Sequence, residues 1–310
     1  MKLRSLPANG KIGITAPAFP PDAEKLRKGI DYLLGLGYEI DMGDSLTATH
    51  GFFAGSDELR LNELHRMFAD PAIDAIICAR GGWGTLRLLD QLDYQLIRSN
   101  PKMLVGYSDI TTLQLAFWQK AGIPSFSGPM AAVEMGSGIL PFTSRHFWGQ
   151  IKNPESTYSI SLNEKEETAV EVWHQGTATG TLLGGCLSMV SHQLGTPYSP
   201  DYTGAILFLE DVGEEAYKID RYLAHLRQAG VFEQIAGLIV CDFLDCDDSN
   251  EARKHIPVGD VLKEYFSNMN IPVISGFPYG HGMKKISMPI GVNAALDTKR
   301  QTLTFENPFV

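Results

Sequence analysis

Lys102–Phe117, KMLVGYSDITTLQLAF, changes its periodicity in the middle. Lys102–Gly106 reads as a short buried strand. From Ile110 onward the apolar residues Ile110, Leu113, Ala116 and Phe117 recur at helical spacing. The same strand-then-helix alternation runs upstream. KIGITAP (11–17) is a strand, and DAEKLRKGIDYLLGLG (22–37) an amphipathic helix ending at glycine. YEIDMG (38–43) is a second strand, followed by the helix DELRLNELHRMFAD (57–70) with an apolar stripe at Leu59, Leu61, Leu64 and Phe68. AIDAIICAR (72–80) is a third strand and TLRLLDQLDYQLI (85–97) a third helix. Strands and helices in this order predict an α/β protein, with a parallel sheet covered by helices on both faces.

Near Pro129 the rhythm stops. The chain beyond it is rich in Thr, Ser and Gly, with short alternating strands, and then carries the strong strands GAILFLED (204–211) and IAGLIVCDF (235–243) around a helix, AYKIDRYLAHLRQAG (216–230). The expected organisation is a first domain over 1–150, a linker over 151–170 and a β-rich second domain over 171–310. At roughly 150 residues per domain, 310 residues also predict two domains.

Composition narrows the function classes. A net charge of −10 argues against binding a nucleic-acid backbone. No window approaches about 18 apolar residues, and the N-terminus has no uninterrupted apolar core, so neither a membrane span nor a signal peptide is expected. Cys78, Cys186, Cys241 and Cys246 lack metal-site or disulfide-scaffold spacing and read as reduced thiols. The expectation is a cytoplasmic protein without metal.

Ligands of open α/β sheets collect at the carboxyl ends of the strands. Two such loops carry chemistry. Ser108 follows a strand and precedes a helix, where a nucleophile elbow places its serine, although Ile110 replaces the small residue of G-x-S-x-G. The alternative is a serine that caps the helix. RGGWG (80–84) has adjacent glycines whose bare N–H groups can face an anion, or it is a plain tight turn. A nucleophilic serine needs a base, and among eight histidines His281 stands out in a glycine-rich loop after a buried strand. The third member should be a carboxylate that orients the imidazole. Glu210, at the exit of a hydrophobic strand, is the candidate, while Asp211, Glu214 and Glu215 read as a solvated acidic helix start. Paired carboxylates also serve metal and glycosidase chemistry.

APAFPP, FAGSDELRLNELHRMFADPAIDAIICARGGWG, VGYSDIT, GTLLGGCLSMV, ILFLEDVGEEAYKIDRYLAHLRQAG and GFPYGHGMKKISMPIG occur in order between about Lys11 and Asp297. Together they resemble the L,D-carboxypeptidases, serine peptidases that trim murein tetrapeptides and are grouped with the microcin C immunity peptidases. The resemblance implies a Rossmann-like N-terminal domain and a β-rich C-terminal α/β domain. It makes Ser108 the nucleophile, His281 the base and Glu210 the orienting carboxylate, with the backbone N–H groups of Gly82 and Asp109 as the oxyanion hole. It places the site between the domains and implies a homodimer that uses no cofactor. Arg80 is the candidate for holding the substrate's terminal carboxylate, its other reading being an ion pair that holds the glycine loop. Trp83 is a further candidate substrate contact.

The chain departs from the family pattern at Cys186, where asparagine is expected, and at Trp83, where tyrosine is usual. The expected reaction is release of terminal D-alanine from a murein tetrapeptide. The alternative is cleavage of peptide-nucleotide or acyl-sulfamoyl-adenylate compounds, for which Trp173 would have to serve as an aromatic wall.

Overall fold

The structure, a computed structural model, describes residues 2–152, 156–163, 170–247 and 256–309. Parts of the expected linker (153–155 and 164–169) lie outside the described residues. The chain order is β1 (Lys11–Thr15), α1 (Ala23–Gly35), β2 (Glu39–Met42), α2 (Asp57–Ala69), β3 (Ala75–Cys78), α3 (Tyr94–Ser99), β4 (Met103–Gly106), α4 (Thr111–Ala121), β5 (Ser125–Ser127) and α5 (Pro141–Ile151). There follow β6 (Thr157–Ser161), β7 (Glu171–His174), β8 (Thr177–Cys186), α6 (Leu187–Gln193), β9 (Ile206–Val212), α7 (Ala216–Gln228), α8 (Val231–Gln234), β10 (Gly237–Leu244), α9 (Val258–Phe266), β11 (Val273–Ser275), β12 (Met288–Ile290), β13 (Asn293–Asp297) and β14 (Thr302–Glu306).

Two compact units divide the chain: residues 1–154, 285–291 and 308–310 in one, 155–284 and 292–307 in the other. The first contains a six-stranded sheet in the order β12-β5-β4-β3-β1-β2. Its five strands β5-β4-β3-β1-β2 are parallel, and β12 adds antiparallel to β5. Strand order reverses between β1 and β3, the switch point where open sheets of this kind hold ligands. Ile12, Ile14, Ile76, Ile77, Leu104 and Val105 are at most 1% exposed. Each such side chain is worth about 1.5–3 kcal/mol on burial, which is why the strand runs read as continuously apolar.

The second unit contains an eight-stranded mixed sheet, β6-β14-β13-β8-β9-β10-β11-β7. Its centre, β8-β9-β10-β11, is parallel, and antiparallel strands flank it. Helix α7 stops where expected, with Gly230 at φ 75° just past its end.

Three expectations need correction. The segment expected as one third helix is a short 3-10 turn, Thr85–Leu88, and then α3, because the Asp93 side chain accepts the Leu96 N–H at 2.8 Å and starts a new helix. The expected domain limits also shift. Strand β6 lies inside the stretch expected as linker and pairs with β14, while β12 pairs with β5 and so belongs to the first unit. A strand is assigned by what it pairs with, which chain order does not reveal.

The third correction concerns α2. It buries Arg60 and Glu63 beside Leu64, Met67 and Phe68, whereas Leu59 and Leu61 are only half-buried. Glu63 is the acceptor that joins the carboxyl ends of β1 and β2. It takes the Thr15 hydroxyl at 2.5 Å, the Ser45 N–H at 2.9 Å and the Ser45 hydroxyl, and Ser45 Oγ in turn accepts the Ala16 N–H at 2.8 Å. Removing that carboxylate strands three buried donors, at about 1–3 kcal/mol each. Glu63→Ala should therefore destabilise the protein by about 3–5 kcal/mol in urea unfolding, while Glu58→Ala, on the exposed face of the same helix, should change stability by less than about 0.5 kcal/mol.

Candidate active site

In the first unit Ser108 follows the end of β4 and opens a 3-10 turn, Ser108–Ile110, that leads into α4. No side chain caps either helix start, so the capping reading of Ser108 fails. Its backbone is instead left-handed, with φ 64°, a conformation that costs a non-glycine residue energy and that marks a sharp elbow. The turn is close-packed: a Cβ on Gly106 would lie 2.9 Å from the Ile110 side chain. Ile110, the residue that breaks the G-x-S-x-G pattern, thus fills the space which Gly106 leaves open.

The 80–84 loop is cross-tied to this elbow. The Thr85 N–H donates to the Asp109 carboxylate at 3.0 Å, and the Thr85 hydroxyl donates to the Asp109 carbonyl at 2.7 Å. Burial pushes the Asp109 carboxyl above its ordinary range, against the pull of these donors and of Arg60. Gly81 is so near Ser108 that a Cβ on it would sit 2.9 Å from the serine Cβ. Gly82 is exposed, has φ 129°, and leaves room for Phe19, whose ring a Cβ would meet at 2.4 Å. The Asp109 N–H lies in the first turn of its helix, where N–H groups lack intrahelical acceptors. Arg80 is half-buried. Its Nε donates to the Gly81 carbonyl at 3.2 Å and its guanidinium lies 5.7 Å from the Phe19 ring centre. It makes no ion pair among the described residues, so its contacts to the glycine loop and to Phe19 are with neutral groups. Trp83, beside it, is half-buried.

In the second unit the carboxyl ends of the parallel strands gather a different set. Glu210, on β9, is fully buried, and its Oε2 lies 2.8 Å from His281 Nδ1. A carboxylate only accepts, so Nδ1 is the donor of this hydrogen bond. The glycines on either side of His281 are dictated by carboxylates. A Cβ on Gly280 would lie 2.9 Å from Glu210 Oε2, and one on Gly282 would lie 2.5 Å from Asp242 Oδ2. Asp242 also donates its N–H to the Tyr279 carbonyl at 3.0 Å, and Tyr279 is buried edge-on against Phe208 at 5.2 Å. The histidine loop is therefore held at Tyr279, at His281 and beside Gly282.

Asp242 was invisible as a site residue, since a single aspartate in an apolar strand carries no motif. Asp211 corrects an expectation. It is 2% exposed, not a solvated helix start, and it accepts the Ser188 N–H at 2.8 Å and the Val212 N–H at 2.9 Å. Cys186, opposite Glu210 in the β8–β9 register, places Sγ 3.5 Å from Asp211 Oδ1 and 3.2 Å from Ser188 Oγ. Burial raises the thiol's pKa well above its ordinary value, so it remains a protonated donor.

Comparison with known proteins gives the family. Residues 12–128 match the LD-carboxypeptidase N-terminal domain, and residues 179–296 match the LD-carboxypeptidase C-terminal domain. The chain belongs to the LD-carboxypeptidase family. It is 38% identical to the probable murein peptide carboxypeptidase of Bacillus subtilis, over 98% of this chain and 94% of that protein. It is 26% identical to the microcin C7 self-immunity protein of Escherichia coli, over 97% and 93% of the two chains. Among solved structures, the muramoyltetrapeptide carboxypeptidase of Oxalobacter formigenes superposes with a TM-score of 0.84 at 29% identity, covering 97% of this chain and 100% of that one. No helix among the described residues is long and apolar enough to cross a membrane.

The electrostatics of the second unit can be tested. Burial first, and then the Glu210 charge, push the Asp211 carboxyl up to about 6. With the folded-state pKa above the unfolded one, the native state binds more protons between pH 4 and 6, and stability falls as pH rises through that window. The drop is about 3 kcal/mol for a shift of this size. Asp211→Asn, neutral at every pH, should flatten the stability profile between pH 4 and 6, as measured by urea unfolding at half-unit pH steps.

Proposed function

We propose that this family member is a serine carboxypeptidase that hydrolyses the L,D-amide bond of murein tetrapeptides and releases the terminal D-alanine. Ser108 is the nucleophile, His281 its base and Glu210 the orienting carboxylate. The observation that carries this reading is the 2.8 Å Glu210–His281 hydrogen bond, in a chain whose Ser108 is left-handed at the tight turn from β4 into α4. The names of the relatives supply the substrate class.

In this mechanism His281 Nε2 takes the Ser108 proton as Oγ attacks the scissile carbonyl. Glu210, buried and fixed on Nδ1, stabilises the imidazolium that forms. The oxyanion is received by the N–H groups of Gly82 and Asp109, donors of a kind worth about 2.7–4 kcal/mol each in a hydrolase. His281 then protonates the departing amine, and water, deprotonated by the same ring, releases the acyl group. Arg80 takes the free carboxylate of the leaving residue, with Trp83 beside it as a contact for the rest of the peptide. Only the chain's own groups and water take part. Four free, buried cysteines suit the reducing cytoplasm in which we place the protein, as the homodimer that the family resemblance implies.

Stereochemistry is the sharpest test. A tetrapeptide ending in D-alanine should lose one residue by mass, whereas the same peptide ending in L-alanine should react about 10²–10⁴-fold more slowly. With amine and carboxylate anchored, the inverted methyl must enter space meant for hydrogen or pull the carboxylate from Arg80. A pentapeptide ending in D-Ala-D-Ala should resist, since its last bond joins two D-centres. Ser108→Ala should lower turnover about 10⁶-fold while leaving the melting temperature nearly unchanged. Cleavage of the L-ended peptide at a comparable rate would indicate a general carboxypeptidase. Inertness toward all three, with turnover of an aminoacyl sulfamoyl adenylate, would move the protein to the immunity-type activity.

A further inference from the structure

A left-handed serine persists only where its surroundings over-determine it. Tyr107, the residue before Ser108, is extended at φ −153° and ψ −171° and is 3% exposed. Its hydroxyl donates to Glu134 Oε1 at 2.8 Å, and the Lys285 ammonium lies over its ring, 3.5 Å from the centre. Lys285 Nζ also donates to Glu134 Oε1, and Glu134 Oε2 accepts the Met130 N–H at 3.0 Å. Glu134 sits on one turn of π-helix, Ala131–Met135, a form common at functional positions. From that turn the Ala132 N–H donates to the Ala79 carbonyl at 2.8 Å, one residue before the Arg80–Gly81–Gly82 loop. The turn therefore grips both the chain entering the serine elbow and the chain entering the glycine loop.

The Lys285 side chain is 0% exposed and that of Glu134 12%. Desolvation alone would raise the Glu134 carboxyl, but the adjoining Lys285 charge and the converging donors outweigh it and hold the group below its ordinary value. Buried ion pairs are a poor way to gain stability, since well-packed apolar residues often do as well. A pair placed against the residue before the nucleophile has another use.

We propose that Glu134 and Lys285 form a positioning clamp that, through Tyr107 and Ala79, sets the Ser108 elbow and the Gly81–Gly82 loop in one register. This rests on Ser108 being the nucleophile, but not on the identity of the substrate. The clamp touches no reacting atom. Its loss shows as a slower chemical step, because a displacement near 1 Å at a reacting group costs about 10²-fold in rate.

A fluorophosphonate probe tests this without the murein peptide. Serine Oγ bonds to phosphorus, fluoride leaves, and the serine proton passes to the base. In Tyr107→Phe and Lys285→Met the maximal labelling rate of Ser108, followed by intact mass, should fall about 10–100-fold, with the half-saturating probe concentration within about threefold of wild type. A merely structural role would move the melting temperature and leave the labelling rate of the folded fraction unchanged. Should Lys285→Met fail to fold, Tyr107→Phe, which removes one hydroxyl, decides alone. Wild-type labelling rates in the folded variants would overturn the clamp and leave the nucleophile standing. A wild-type protein that is never labelled at Ser108 would overturn the nucleophile assignment, and the clamp with it.

Discussion

Parallel pairing is the constraint on which the rest of each unit depends. Strands that run side by side in one direction deliver all their carboxyl ends to one edge, whatever the length of chain between them. In the first unit this brings the Phe19 loop after β1, the Arg80–Gly84 loop after β3 and Ser108 after β4 to the same edge of the sheet. In the second unit it does the same for Cys186 on β8, Glu210 on β9, Asp242 on β10 and His281 after β11. Each sheet holds its chemistry on rigid strand ends and leaves only short loops to be fixed by side chains.

Those loops are fixed mainly by buried charge. Glu63 joins the ends of β1 and β2, Glu134 and Lys285 brace the serine elbow, Asp211 holds the start of α6, and Glu210 holds His281. Burying an ionised group costs several kcal/mol unless its hydrogen bonds are met. Glu63, Glu134 and Asp211 each meet several donors at once, so displacing a loop would strand a charge and not merely lengthen a contact. Apolar packing could supply comparable stability but not the same directional hold. Arg80 is the exception in kind: half-buried, hydrogen-bonded through Nε to a carbonyl, and without a carboxylate partner among the described residues.

The departure at Cys186 makes physical sense in these terms. A protonated thiol still donates toward Asp211, as an amide side chain at that place would, but it is smaller and cannot also accept strongly. The Glu210–His281 hydrogen bond is made without the residue at 186.

Much was legible in the sequence because it rests on local rules. Alternating apolar runs and helical periods fix the βα order, strand-turn-helix punctuation singles out Ser108, and the glycine-flanked His281 marks a crowded loop. Six ordered blocks then tie these residues to one family. The identities of Asp242, Glu63, Glu134 and Lys285 as structural partners were not legible. Each lies far along the chain from what it holds, 151 residues in the case of Lys285 and Glu134, and a lone charged residue has no periodicity to betray burial. Strand membership was hidden for the same reason, since β12 is read as part of whichever sheet its hydrogen bonds join. The sequence determined which segments are strands and helices and which residue types stand at their ends, because short-range sterics and hydrophobic patterning act within a few residues. Only tertiary structure decided which charges are buried and what they grip, because desolvation and hydrogen bonding depend on groups that the chain brings together from a distance.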